Sequence, residues 1–297
     1  MKPKVVIAGG TGFIGDYLKA KFINQGYEVL IISRQNGFIS WDDKPAMVAA
    51  LNHSELVINL ANKSVNCRYT KHNKEAIICS RVKTTRLLGE SILECENPPK
   101  LWVNSSTATI YRHAEDRPMT EADGEIGTGF SVEVAKRWER AFFHFQLPKT
   151  RMVALRTAIV LGEKGGALAP YKNLVRLGLG GMQGNGKQMF SWIHEEDMFS
   201  IISFLQSNET TEGIYNCSAP NPISNKAFMR SLRKVMHMPF GLPSPEFLLS
   251  IGVRLIQTEK ELILKSRWVL PERRMQEGFE FKFSTIENAL SNILHSK

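Results

Sequence analysis

The chain has 297 residues, 43% of them hydrophobic and 23% charged, which suits a globular protein with a sizeable core. No apolar run reaches the roughly eighteen residues that a membrane-spanning helix needs, so a membrane protein of that kind is excluded. The 38 Lys and Arg against 29 Asp and Glu leave a formal charge of +9, yet the basic residues are scattered, so a nucleic-acid partner is not expected, whereas a positive field suits capture of a multiply charged phosphate ligand.

The first residues run straight into an apolar strand at 5–8 and lack the long apolar stretch of a signal peptide. Cys67, Cys79, Cys95 and Cys217 are widely spaced with no CxxC pair, the pattern of reduced thiols. Together these features lead to the expectation of a cytoplasmic address. The glycine-rich stretch "GGTGFIG" at 9–15 follows that strand and opens into a helix predicted over 16–25. In such a turn Gly9 lets the chain bend tightly, Gly12 lets the backbone approach a pyrophosphate, and Gly15 lets the helix pack closely on the sheet. Thr11, Phe13 and Ile14 complete the loop, and the helix N-terminus offers N–H groups and a positive dipole end to an anion.

The second strand, 28–32, ends at Ser33 and Arg34. NAD-binding proteins usually place a carboxylate at this point to accept hydrogen bonds from the adenosine ribose. A guanidinium there pairs instead with a 2′-phosphate, so the cofactor expected is NADP(H). A helix at 43–52, a strand at 56–60 and a long helix at 71–95 follow, the last stopped by the prolines of "ENPPK". Strands at 101–104 and 152–161 then enclose a helix at 130–145. Continuous apolar strands alternating with helices predict an α/β fold, a Rossmann-type doubly wound parallel sheet covered on both faces. After residue 162 glycine-rich loops ("GEKGGALAP", "GLGGMQGNGKQ") and helices near 195–206, 224–237, 244–257 and 285–294 predict a smaller lobe. The expected division is a Rossmann domain at 1–165, to which segments around 188–217 return, and a substrate lobe at 166–297. That lobe includes a C-terminal tail from about 245, in which Phe279, Phe281 and Phe283 alternate as one buried face does.

These residues resemble the extended short-chain dehydrogenase/reductase superfamily. "GGTGFIG" matches its glycine loop, "NLA" at 59–61 its strand-four motif, "SSTATIY" at 105–111 its strand-five motif, and "SWIHEEDM" at 191–198 its late His-x-x-Asp segment. Within it the chain is similar to the epimerase-family, or sugar-nucleotide-epimerase-like, subgroup. The marks of that subgroup are "SRVKTTRLL" at 80–88, "KRWERA" at 136–141, "RTAIVLGEKGGAL" at 156–168 and "LPERRMQEGFEFKF" at 270–283. The resemblance implies a two-lobed NADP(H)-binding protein acting on a small molecule that the motifs do not identify, as a monomer or a homodimer. It implies that Leu60, Ala61 and Ser105 line the cofactor and that Arg81, where the superfamily has Asn, faces it.

Superfamily chemistry needs a Tyr hydroxyl as acid–base, a Lys four residues later to hold the nicotinamide ribose, and a Ser or Thr to polarise the substrate oxygen. Thr107 takes the Ser/Thr slot and Lys136 the Lys slot, but the residue four before Lys136 is Val132, and no tyrosine lies between 112 and 170. His113, Glu133 and His194 are the remaining ionisable candidates, with His194 the one carried forward as a catalytic residue. Two readings follow. One is an NADP(H)-dependent oxidoreductase or epimerase-like enzyme with an atypical site, and the other a non-catalytic NADP(H)-binding regulatory or redox-sensing protein.

Overall fold

The structure is a computed structural model that describes residues 2–244 and 261–295. In chain order the first elements are β1 (Lys4–Ala8), α1 (Phe13–Asn24), β2 (Glu28–Ile32), α2 (Lys44–Leu51), β3 (Leu56–Asn59), α3 (Lys71–Leu93), β4 (Leu101–Thr107), α4 (Phe130–Phe143) and β5 (Arg151–Thr157). Next come β6 (Ile159–Leu161), α5 (Leu168–Arg176), β7 (Met189–Phe190), β8 (Trp192–His194), α6 (Glu195–Ser207), β9 (Gly213–Cys217), β10 (Ile223–Ser224) and α7 (Asn225–Val235). Three short helices, α8 (Glu261–Leu264), α9 (Glu272–Gln276) and α10 (Ile286–His295), lie in the tail. The predicted helix at 244–257 falls, from residue 245 onward, outside the described residues.

Six strands form one parallel sheet in the order β2-β1-β3-β4-β5-β9. Strand alternation sorts the side chains into two cores. Val5, Ile7, Leu56, Ile58 and Val103 meet Leu18 and Phe22 of α1 and Phe199 and Ile202 of α6 on one face. Val6, Ala8, Val57 and Trp102 meet Met47 of α2, Leu88 of α3 and Phe142 of α4 on the other. This is the doubly wound architecture expected, and the strand order turns about β1 and β3, the point where such sheets open a crevice. Side-chain caps start the covering helices: Asp43 accepts from the Ala46 amide and Thr70 from the Asn73 amide.

One expected strand is two. The apolar run at 152–161 leaves the main sheet at Ala158, whose amide donates to the Cys217 carbonyl at 3.0 Å. Its continuation, β6, pairs with β8 in a separate two-stranded sheet. Hydrophobic continuity reports burial but not a change of partner, which is why the break is silent in sequence.

The second lobe packs α5, α7 and α10 around Leu168, Val175, Phe228, Leu232 and Leu290. Phe190 stacks on Phe228 with centroids 4.2 Å apart, and Trp192 is fully buried beside them, so both aromatics are lobe core. In the tail, Phe279 and Phe281 pack against the core of the main sheet while Phe283 enters that of the lobe. The three rings therefore bridge two cores rather than line one.

Candidate active site

The crevice is built first by the loop after β1. Gly9 sits at φ +74°, and a Cβ there would stand 2.5 Å from the Ala61 Cα, so only glycine lets this loop pass the end of β3. A Cβ on Gly15 would lie 2.5 Å from the Gly10 backbone, which is the close packing of α1 on its own loop. Gly12 is different: nothing lies within 4 Å of its missing Cβ. It is also the N-cap of α1 with no side-chain cap, so the amides of the first turn point at the cleft without a protein partner from that position. That is the geometry of an anion site at the start of a twelve-residue helix.

The cleft it opens has a volume of about 930 Å³. Gly9, Thr11, Gly12, Phe13, Ile14, Gly15, Ser33, Arg34, Leu60, Ala61, Arg81 and Ser105 all line it, so the residues expected to hold a cofactor are brought together with one exception, Lys136. Ser33 is buried, accepts from the Gln35 amide at 3.1 Å and lies 3.3 Å from Thr11 Oγ1, which ties the end of β2 to the glycine loop. Arg34 is exposed at the rim, and among the described residues no carboxylate pairs with it. Lys83 adds a third cation to Arg34 and Arg81, against Asp42 as the single carboxylate of the lining.

A polar network behind the wall holds it in shape. Asn59 donates to Asn104 Oδ1 at 2.7 Å and to Thr85 Oγ1 at 3.1 Å, and accepts from the Ala61 amide at 3.1 Å. Trp138 Nε1 reaches the same Thr85 hydroxyl at 3.0 Å. The ends of β3 and β4 are thus locked to α3 and α4, with every member buried and satisfied. Arg81 is buried on α3, donates to the carbonyls of Lys63 and Ile77, and lies over the Trp138 ring with its guanidinium carbon 5.1 Å from the centroid. Burial pushes its pKa down to about 10, and among the described residues no carboxylate neutralises it.

The catalytic expectations fare differently. Thr107 stands half-buried at the end of β4, two residues beyond Ser105 of the lining, and its hydroxyl accepts from the Thr109 amide at 3.1 Å. Lys136 projects from the exposed side of α4, outside the cleft lining. Val132, four residues earlier, is 1% exposed and packs with Ala108, Tyr111 and Ala135, so the helix turns this slot into core. Glu133 forms an ion pair with Arg137 on the outer face, the solvated arrangement of an i, i+4 pair.

His194 lies elsewhere, at the start of α6. Its ring is buried, stacks on Phe283 at 3.8 Å, accepts from the Glu196 amide at Nδ1 and meets Asn292 through Nε2. Burial pushes its pKa down to about 4, so it is a neutral cap of α6 that binds the tail, away from the cleft lining. His113 is half-exposed and accepts from the Ser266 amide. Tyr111 is buried and donates to Asn216, a structural role. Sequence reasoning missed Ser80, Thr84 and Leu87 of the lining, although their spacing along α3 marks one face of a helix. Among the described residues no cluster of His, Cys, Asp or Glu is suited to a metal ion.

Comparison with known proteins agrees with this architecture. Residues 5–218 match the model of the NAD dependent epimerase/dehydratase family, and residues 244–293 match a domain of unknown function, DUF1731. The chain is 33% identical over 302 residues to the epimerase family protein YfhF of Bacillus subtilis, covering 98% of this chain and 97% of that one. The human epimerase family protein SDR39U1 (isoform 2), crystallised with NADPH, superposes with a TM-score of 0.90 at 29% identity over 99% of this chain and all of that one. A nucleoside-diphosphate sugar epimerase from Corynebacterium glutamicum gives a TM-score of 0.79 at 26% identity, with this chain matching 58% of its length. With its glycine-loop cleft, its doubly wound sheet and its matched tail, the chain belongs to the NAD dependent epimerase/dehydratase family, among the epimerase family proteins.

Proposed function

We propose that the cleft binds NADP(H) and that the protein is an NADP(H)-dependent oxidoreductase or epimerase-like enzyme whose site lacks the usual tyrosine at Val132. The observation that carries this reading is Arg34, a guanidinium at the end of β2 on the rim of the glycine-loop cleft with no carboxylate partner among the described residues. A pyrophosphate fits the open space at Gly12 and the uncapped start of α1, and the excess of three cations over one carboxylate suits the added charge of a 2′-phosphate. The NADPH bound by the human relative supports the same choice. When bound, the nicotinamide supplies the hydride chemistry; the chain's own residues orient it through Leu60, Ala61 and Ser105 and polarise a substrate oxygen through Thr107. The main sheet, completed by β9, is read as the cofactor domain, and the α5, α7 and α10 lobe with its tail as the substrate side.

A second reading, a cofactor-binding regulator without turnover, is favoured by one observation: Val132 is core and Lys136 faces solvent, so the superfamily's acid–base pair is missing from the cleft. Fluorescence titration with NADPH and NADH, followed by NADPH oxidation over a panel of small aldehydes and ketones, tests both. Tighter NADPH binding with carbonyl-dependent oxidation is expected. Tighter binding of NADH overturns the cofactor assignment, and tight NADPH binding with no oxidation leaves the regulator.

A further inference from the structure

The sequence has no tyrosine on α4. We infer that Tyr69, at the end of the loop between β3 and α3, places its hydroxyl at the first turn of α4 and serves as the proton donor to the substrate oxygen. This rests on the oxidoreductase reading above. The Tyr69 hydroxyl lies 3.4 Å from Ser131 Oγ, one residue before the slot where Val132 is buried. Its ring is held edge-on against Phe130, the first residue of the same helix, at 4.7 Å between centroids. The loop that ends at Tyr69 begins at Ala61 and carries Ser64 and Val65, which line the cofactor cleft, while Tyr69 itself lies beyond that lining.

Charge favours the same role. Tyr69 is within electrostatic reach of two guanidinium groups, Arg81 from the cleft wall and Arg267 from the segment after α8. Arg267 donates through Nε to Thr109 Oγ1 at 3.0 Å, two residues beyond Thr107, so it ties this corner to the end of β4. Positive charge within reach of a phenol favours the phenolate that proton donation leaves. Ser131 donates in turn to Glu261 Oε2 at 3.0 Å, and Glu261 lines a solvent-open cleft of about 680 Å³. A path from Tyr69 through Ser131 and Glu261 therefore leads to water. The contact of Tyr69 with Ser131 is long for an O–H···O bond, as is common before a ligand tightens a catalytic site.

The proton balance is simple. Carbonyl reduction needs two electrons and a proton delivered together to carbon by the bound NADPH, which becomes NADP⁺, and a second proton at oxygen. Tyr69 Oη–H breaks as the O–H bond of the product forms. Ser131 then returns a proton to the phenolate and is itself resupplied from water by way of Glu261. Lys265 is the rival donor, since burial pushes its pKa down to about 8, but its ammonium is engaged with the Thr109 carbonyl at 2.7 Å.

Two measurements on the full-length protein test the assignment. In protein labelled with ¹³C at the tyrosine Cζ, the signal missing from Tyr69→Phe is expected to shift when NADP⁺ is added, while those of Tyr27 and Tyr215 stay in place. A Tyr69 signal that does not move puts the hydroxyl out of reach of the cofactor and overturns the proposal. Against the aldehydes and ketones that the wild type reduces, Tyr69→Phe is expected to lose at least ~100-fold in kcat, with its Kd for NADPH changed by less than about twofold. Wild-type kcat in Tyr69→Phe, or a loss seen only in Lys265→Met, assigns the proton elsewhere. A wild type that binds NADPH but reduces no carbonyl overturns the oxidoreductase reading itself, and this role with it.

Discussion

In the proposed function Arg34 is the residue on which cofactor choice turns. It sits exposed at the cleft rim, and among the described residues no carboxylate pairs with it, so its removal strands no described buried partner and reports on the ligand. A charge-assisted hydrogen bond contributes about 1.5–3 kcal/mol, and Arg34→Ala is therefore expected to weaken NADPH binding by about 10- to 100-fold while NADH binding changes by less than about twofold. Parallel fluorescence titrations check this; an equal loss for both cofactors would mean that Arg34 supports the loop rather than the 2′-phosphate. Single residues such as this one, and the glycines, were legible in sequence because backbone geometry and charge act locally. Tyr69 was not, because its contact with Ser131 spans 62 positions and no spacing rule links a loop after one strand to a helix two units later. For Lys136 a four-residue spacing matches a motif, but the rotation of α4, which turns Lys136 to the exposed side, is not written in that spacing.

At the scale of elements, α6 is the joint between sheet and tail. His194 caps its N-terminus through Nδ1, while Asp197 in the first turn accepts from the amides of Lys282 and Phe283 at 2.9 and 3.0 Å. The His-x-x-Asp spacing was visible in sequence, yet its purpose was not, since the partners lie about 85 residues away and no local spacing rule links them to α6. The buried imidazole makes this joint sensitive to acid. The unfolded chain binds a proton at the ordinary histidine value of 6.5 and the folded protein only near about 4. Between those values the unfolded state holds more protons, so stability falls as the pH drops from about 6.5 towards 4 and the dependence ends below that. From pH 7 to pH 5 this contributes a loss of about 2 kcal/mol. Asparagine also caps helices well, so His194→Asn is expected to keep the cap and flatten that part of the profile. Urea unfolding of both proteins at pH 7 and pH 5 measures the difference, and parallel profiles would place the titration elsewhere.

For the whole molecule, the fold class was readable because five apolar strands and their helices repeat one pattern, whereas the contacts of the tail with the main sheet were not. The chain leaves the main sheet after β5, builds β6 and α5, and returns through β9. The tail then crosses back: Arg273 donates to the carbonyls of Glu212 and Ile214 at 3.0 and 2.8 Å, and Tyr215 of β9 donates to Glu277. Phe279 and Phe281 close on one core and Phe283 on the other. Neither lobe can open without breaking contacts that complete its neighbour, so unfolding is expected as a single cooperative transition. A ligand bound only by the folded state then stabilises all of it: NADPH at one hundred times its Kd adds about 2.7 kcal/mol, which for a chain of this size raises Tm by about 4 °C. Differential scanning calorimetry with and without NADPH decides the matter. One peak that moves as a unit fits a molecule whose tail and sheet share their cores; two peaks, of which only one responds, would mean that the lobes fold separately and that the tail contacts contribute little.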